Sequence, residues 1–491
     1  MSVELNERRQ KLLAGGGQDR VARQHEAGKM TARERVAKLL DEGSFVEVGA
    51  FTAAKESASS VITGYGVIDE RPVYVYAQDF TVKGGAMGAA AAAKIVRLME
   101  LAQKTGAPVI AMCDSAGADL SEGVEALNAY ASIMKETAAI SGVVPQISLV
   151  LGQCGGIASA IAGMTDITIM SKNGALFVNG PMVVSAVAGK EVDMATLAGP
   201  QASMRSGMAQ LTAETDEEAI AAARKLVSML PVNNLDEAVE ISADDVNREL
   251  AELNGVDKLE DIRDLIRSVS DLGDFVELSA DFAPSMVTAL GKIGGATVGF
   301  IANQAAKDEG RLTVYGCKKA AAFASFCDCF SIPVVTVVDS MGMKISTAPQ
   351  GELARNGAQL MFALSQATNV RIALIVGNAV GMGYAALASR ASADVVYAWP
   401  GAVISAVTPK IAVQLNSADE LKGADDPYAK RAELENRYMD DVADGVNAAK
   451  LGYVDDVIEP AQTRQMIAAA LEMLEGKRES KPAKKHGNMP L

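Results

Sequence analysis

Two glycine-containing turns hold the residues of this chain best placed to do chemistry. Cys154-Gly155-Gly156-Ile157-Ala158 and Val380-Gly381-Met382-Gly383-Tyr384 each follow an apolar run and precede an alanine-rich stretch, 225 residues apart. A helix that starts directly at a glycine turn aims its first unpaired backbone N–H groups at whatever lies above it. Two such donors can hold an oxygen that becomes negative in a transition state, and losing one costs roughly 3–4 kcal/mol of barrier. Glycine allows the backbone to approach the ligand closely. The candidate catalytic residues are therefore Gly155, Gly156 and Ile157 in the first turn and Gly381, Met382 and Gly383 in the second. A single turn of this kind also serves plain helix–strand packing. A matched pair points to two reacting oxygens.

Composition narrows the chemistry further. The only two histidines are His25, in a charged N-terminal segment, and His486, in a tail of Lys, Pro and Gly. Neither adjoins an apolar strand, so a hydrolase of the Ser-His or Cys-His type lacks its base. The five cysteines, Cys113, Cys154, Cys317, Cys327 and Cys329, sit in apolar context and read as reduced core residues. Cys327-x-Cys329 is too short for zinc spacing, and no metal site is expected. A net charge of −15 excludes a broad nucleic-acid surface but permits a local basic pocket for a phosphorylated small molecule. The N-terminus has no apolar signal core, and apolar runs such as Pro145–Leu151 are only strand length. A cytoplasmic chain is expected.

The 225-residue offset extends beyond the turns. Pro108-Val109-Ile110 leading to Asp114-Ser115 returns as Pro333-Val334-Val335 leading to Asp339-Ser340, and Lys94 matches Lys319. Ser44-Phe45-Val46-Glu47-Val48 is echoed by Asp274-Phe275-Val276-Glu277-Leu278 at an offset of 230. A repeat this long is a duplicated domain. The expected division is residues 1–250 and 251–491, with an acidic link at 233–264 and a disordered tail from about residue 477. In the first half the pattern predicts strands at 61–68, 73–77, 109–114, 146–151 and 167–170. Helices are predicted over 87–105, 123–140 and 158–164. The second half repeats this order, with strands at 296–302, 334–339, 371–376 and 395–398 and helices at 318–330 and 353–368. Alternation of this kind indicates an α/β fold with mostly parallel pairing. Thr31-Ala32-Arg33-Glu34 reads as a capping box. Gly15-Gly16-Gly17 is not a phosphate loop, because no strand precedes it.

Several segments resemble one family. Asp79-Phe80-Thr81-Val82-x-Gly84-Gly85, then Gly106-Ala107-Pro108-Val109-Ile110 with Asp114-Ser115, is similar to the first half of biotin-dependent acyl-CoA carboxyltransferases. So are Asn303-Gln304, Phe326-Cys327-Asp328, Ile332-Pro333 and Tyr397-Ala398-Trp399-Pro400 in the second half. The opening from Gly15 through Arg20-Val21, Gln24-His25 and Gly28-Lys29-Met30-Thr31-Ala32-Arg33-Glu34 resembles decarboxylase α subunits of that family. The family's Asp-Ser-Gly-Gly-Ala-Arg segment is altered here to Asp114-Ser115-Ala116-Gly117-Ala118-Asp119.

This resemblance implies two tandem crotonase-like domains that move a carboxyl group between biotin and the α-carbon of a short-chain acyl-CoA. It assigns the amides of Gly156 and Ile157 to the thioester enolate and those of Met382 and Gly383 to the ureido oxygen of biotin. Met382 stands where the family usually has glycine, and Ala385 where propionyl-type members usually have aspartate. The coenzyme A thioester is then substrate, and biotin arrives on a separate biotin carboxyl carrier protein. The further partners implied are a biotin carboxylase subunit or a membrane decarboxylase subunit, the latter holding the chain at the inner face of the membrane. The implied assembly is a homo-oligomer, a hexamer.

Two other readings remain open at this point: a non-catalytic structural subunit, or an acyl-CoA hydratase or isomerase on the same fold. Met341-Gly342-Met343-Lys344 superficially resembles a biotin attachment site, but it directly follows a predicted strand. Asp114 and Asp339 are expected to cap the turns after their strands. Lys94, Arg97 and Lys172 are expected on solvated faces.

Overall fold

The computed structural model describes residues 3–52, 58–236, 244–256, 258–347 and 349–490. The chain divides into two compact units, Met1–Glu237 and Ala238–Leu491.

In the first unit the strands are β1 (Val46–Glu47), β2 (Val61–Ile68), β3 (Arg71–Gln78), β4 (Val109–Ser115), β5 (Gln146–Gly155), β6 (Ile167–Ser171), β7 (Ala175–Phe177) and β8 (Leu211–Ala213). They form one sheet in the order β1-β2-β3-β4-β5-β6-β8, with β7 paired to the end of β5. β1, β2 and β3 pair antiparallel, and every later pairing is parallel. The second unit contains β9 (Phe275–Leu278), β10 (Met286–Ile293), β11 (Ala296–Asn303), β12 (Val334–Ser340), β13 (Arg371–Val380), β14 (Val395–Ala398), β15 (Val403–Ser405) and β16 (Asp456–Val457). Its order, β9-β10-β11-β12-β13-β14-β16 with β15 on β13, is the same topology strand for strand. The register also slips at matching points, between Cys113 and Ser115 and between Val338 and Ser340. The duplication is therefore complete at the level of the fold.

The central strands are buried along their whole length, as parallel strands covered on both faces must be. Helix Ala89–Thr105 lays Ala91, Ala92, Ile95, Leu98, Met99 and Ala102 into the core at helical spacing. Helix Val314–Cys329 does the same with Cys317, Ala320, Ala321, Ala324 and Cys327. Four cysteines are buried as expected, but Cys329 is exposed. The Thr31–Glu34 capping box forms as expected. Gly16 packs against the turn that follows β3: its N–H donates to Thr81 Oγ1 at 3.0 Å, and a Cβ there would fall 1.8 Å from Thr81 O.

Three features depart from the sequence reading. β5 and β13 run four residues past their predicted ends, because β7 and β15 pair with their last residues and keep them extended. The hairpin strand β10 was not anticipated, although Gly294-Gly295 between two apolar runs is a hairpin signal. From Lys477 onward no helix or strand forms, yet the segment is not detached from the second unit. Lys481 Nζ donates to the carbonyls of Ser365, Gln366 and Ala367 at 2.6–3.1 Å, at the C-terminal end of helix Gly351–Gln366. A cation there also meets the negative end of the helix dipole. Among the described residues no helix is long and apolar enough to cross a membrane.

The two units differ at a matched pair of half-buried carboxylates. Asp166 accepts the N–H of Gln146 at the start of β5, and Asp394 accepts that of Arg371 at the start of β13. Asp394 also faces the Arg371 guanidinium at 3.4 Å and Lys477 at 2.9 Å. Burial pushes the Asp166 carboxyl up to about 6, against only that one backbone hydrogen bond. With the folded value above the unfolded one, no penalty exists at low pH, where both states are protonated. Stability is lost as pH rises through about 6. Asp166→Asn should therefore raise stability at pH 7.5 by about 1–3 kcal/mol, with the gain vanishing near pH 4. Asp394→Asn should lower it. Urea unfolding of both variants at the two pH values checks this.

Candidate active site

Each turn is a strand end joined to a helix start by one glycine. β5 leads through Gly156, at φ 64° and ψ −131°, into helix Ile157–Ala162. β13 leads through Gly381, at φ 53° and ψ −118°, into helix Met382–Leu387. A side chain is strained in that conformation, so glycine is required at both points by the backbone itself.

The hydrogen bonds determine which amides are left free. Gly156 N–H donates to Phe177 O at 2.8 Å, continuing the β5–β7 ladder, and Gly381 N–H donates to Ser405 O at 2.8 Å from β15. The carbonyls of these glycines accept from the helix, Ser159 N to Gly156 O and Ala385 N to Gly381 O. The N–H groups of Ile157 and Ala158, and of Met382 and Gly383, have no acceptor among the described residues.

The expected pair Met382 and Gly383 is thus free. Of the expected pair Gly156 and Ile157, Ile157 has a free N–H, whereas the Gly156 N–H is committed to Phe177 O; the neighbouring N–H without an acceptor is that of Ala158. The 225-residue offset carries Met382 and Gly383 onto Ile157 and Ala158, a signal that was available in the sequence. The remaining candidates act through shape. Gly155 lies in β5, where a Cβ would fall 2.7 Å from the Phe177 ring. Gly156 and Gly381 supply the turn conformation.

A carboxylate braces each strand before its turn. Asp114, at the end of β4, fills the space left by Gly152, where a Cβ would fall 1.9 Å from Asp114 Oδ1. Asp339, at the end of β12, is matched to Gly377 in the same way, with 2.5 Å to Oδ1. Neither aspartate caps a following turn as expected. Asp339 accepts from the backbone and side-chain amides of Asn378, on β13 itself.

Asp114 is the centre of a buried ionic cluster. It accepts from Arg35 Nη1 at 2.9 Å, Lys29 Nζ at 3.1 Å and Gln24 Nε2 at 3.0 Å. Arg35 is fully buried, reaching Asp216 at 2.8 Å and Leu151 O at 2.9 Å. The N-terminal segment is therefore tied to the strand that carries the first turn.

Other sequence candidates lie elsewhere. Lys94 is buried rather than solvated as expected, and so is its repeat counterpart Lys319. Lys94 Nζ donates to Val61 O, and Lys319 Nζ donates to Ser279 O and Phe282 O. Burial pushes each ammonium down to about 8, opposed by Glu47 and Glu277 respectively. Lys172 and Arg97 sit on the surface in ion pairs with Glu214 and Glu100. His25 pairs with Glu34 at 3.0 Å. Trp399 packs inside the second unit and donates to Thr463. Among the described residues, no group of three or more His, Cys, Asp or Glu side chains could hold a metal.

Removing Asp114 leaves Arg35 and Lys29 without their shared carboxylate. Asp114→Ala should destabilise the protein by about 3–5 kcal/mol. Asp339→Ala should cost less, about 1–3 kcal/mol, because it leaves only amide donors unpaired. Equilibrium denaturation of the two variants checks the order.

The duplicated turns and sheets have known counterparts. Residues 23–489 match the family model described as the carboxyl transferase domain. The carboxyltransferase subunit of propionyl-CoA carboxylase from Haloferax mediterranei is 41% identical over 508 residues, covering 99% of this chain and 98% of the relative. Methylmalonyl-CoA decarboxylase subunit alpha from Propionigenium modestum is 40% identical, with coverages of 99% and 98%. A crystal structure of transcarboxylase 12S, with methylmalonyl-coenzyme A and methylmalonic acid bound, superposes with a TM-score of 0.96 at 41% identity. It covers 99% of this chain and 97% of its own. The chain belongs to the carboxyl transferase domain family and is an acyl-CoA carboxyltransferase of the propionyl-CoA carboxylase, transcarboxylase and methylmalonyl-CoA decarboxylase type.

Proposed function

We propose that the two turns divide the reaction between them. The N–H groups of Ile157 and Ala158 hold the thioester oxygen of a short-chain acyl-CoA as it becomes an enolate. Those of Met382 and Gly383 hold the ureido oxygen of biotin. The observation that carries this reading is the duplicated pair of unpaired donors at matched helix starts. Each pair fits one oxygen that gains negative charge, and each is fixed in place before substrate binds, so little reorganisation is needed during the reaction.

Biotin, delivered on a separate carrier protein, supplies the carboxyl group and the base that removes the α-proton. The chain then needs no histidine at either turn. Its own work is to bind the two partners, fix the thioester carbonyl over Ile157 and Ala158, and stabilise charge at both oxygens. The acyl group is taken to be propionyl or methylmalonyl, supported by the names of the relatives and by the ligands of the 12S structure. The same turns serve carboxylation, decarboxylation and transcarboxylation, because the two oxygens exchange charge in either direction.

The working form is a cytoplasmic homo-oligomer, a hexamer as described for transcarboxylase 12S, in complex with the biotin carrier. Helix Pro181–Ala188 supports an assembled state. It follows β7, buries no residue within its own unit, and exposes Met182, Val183 and Val187.

Proline at the first helical position is tolerated by the fold and deletes one donor. Ile157→Pro should slow acyl-CoA enolisation 10²–10³-fold, and Met382→Pro should slow carboxyl transfer to free biotin by a similar factor, each roughly the effect of one lost donor. Met382→Pro should leave acyl-CoA affinity unchanged by calorimetry. Reversed effects would show that the two turns are assigned the wrong way round.

Lys344 pairs with Asp308 at 3.0 Å, and its N–H donates to Leu312 O directly after β12. It is not a hairpin-tip lysine. Co-expression with a biotin ligase should leave the chain unlabelled on an avidin blot, whereas a carrier protein treated alongside is labelled.

A further inference from the structure

The first residue of each turn helix carries a large side chain, and the two are seated differently. Ile157 is 40% exposed. Met382 is half-buried, and its thioether lies over Gly357, in the interior of helix Gly351–Gln366. A Cβ at Gly357 would fall 2.6 Å from Met382 Sδ, 3.4 Å from Met382 Cε and 3.5 Å from Met343 Cε. Gly357 is itself buried, and its φ is not positive. Glycine in a helix interior is less favourable than alanine. Nothing in the backbone asks for glycine at this point, so the space it leaves is its contribution.

We propose that Gly357 is a positioning residue: the berth in which the Met382 side chain is parked, so that the N–H groups of Met382 and Gly383 stay open to biotin. This rests on the second turn being the biotin side. The Met382 Cβ and amide nitrogen are bonded to the same Cα, so a rotamer that leaves the helix brings the thioether nearer the N–H. The turn has little room to retreat, because a Cβ at Gly383 would already fall 3.1 Å from Ser340 Cβ. When the berth is filled, the unbranched thioether with its three rotatable bonds gives way before the helix does. A side chain of this size at the donor position is compatible with an open turn only while residue 357 has no Cβ.

The test is a double-mutant cycle on the full chain, with carboxyl transfer from methylmalonyl-CoA to free biotin as the reaction. Gly357→Ala should raise the KM for free biotin at least fivefold and leave the KM for methylmalonyl-CoA within twofold. In a Met382→Ala background the same substitution should move the biotin KM by less than twofold. It should also raise Tm there, as expected for alanine in a helix, while lowering or failing to raise Tm when Met382 is present. An equal effect of Gly357→Ala in both backgrounds, or none in either, overturns the berth. Coupling in Tm accompanied by a KM shift on methylmalonyl-CoA instead of biotin keeps the contact but overturns its role, and with it the assignment of the second turn.

Discussion

Everything at the two turns depends on how a handful of backbone N–H groups are shared out where a buried strand becomes a helix. A parallel strand needs its last amide paired, and a helix start leaves amides unpaired. One glycine in the left-handed region resolves this conflict in each unit. Its N–H closes the ladder to a three-residue strand, through Phe177 O or Ser405 O, and its carbonyl begins the helix. The next two amides are left without an acceptor among the described residues. Had the short strands β7 and β15 been absent, the glycine amide would be a third free donor and the strand end would lack its partner. The small strands therefore determine which amides are available, although they contribute little to the core.

Beneath each turn, the strand is held by an aspartate seated against a glycine four residues upstream of the turn glycine. The geometry is shared, with Gly152 and Asp114 in one unit and Gly377 and Asp339 in the other. The electrostatics are not. Asp114 is surrounded by Arg35, Lys29 and Gln24 from the N-terminal segment, whereas Asp339 accepts from amide groups of Asn378 on the adjacent strand. A buried guanidinium tolerates its loss of water only with all its donors paired, and Arg35 reaches two carboxylates and a carbonyl. The first turn is thereby coupled to the docking of residues 24–35, whereas the aspartate behind the second turn bonds within its own sheet.

The two copies have kept their backbones and diverged in side chains. Lysines at matched positions in the two units, Lys94 and Lys319, still thread into the protein to meet backbone carbonyls. The carboxylates at the heads of β5 and β13 also remain, but only Asp394 has kept cationic partners. At the turns the divergence is Ile157 against Met382, and Met382 has Gly357 opposite it. Matched pairs of free amides with different walls suit two oxygens that belong to different molecules.

Much of this was written in local sequence. The 225-residue repeat, the strand–glycine–helix transitions and the apolar central strands follow from residue type and spacing, because parallel strands buried on both faces must be continuously apolar and a helix start after glycine must leave donors free. The absence of histidine near either turn was equally plain and removed Ser-His and Cys-His hydrolases from the candidate chemistries. What residue spacing did not disclose was which amide pairs with what. Phe177 O and Ser405 O lie more than twenty residues from the amides they accept, so the commitment of the Gly156 and Gly381 N–H groups could not be read from spacing. The fates of Asp114, Lys94 and Gly357 were hidden for the same reason. A charged or small residue shows only that it needs a partner or leaves a space, and the partner arrives from a distant part of the chain by folding.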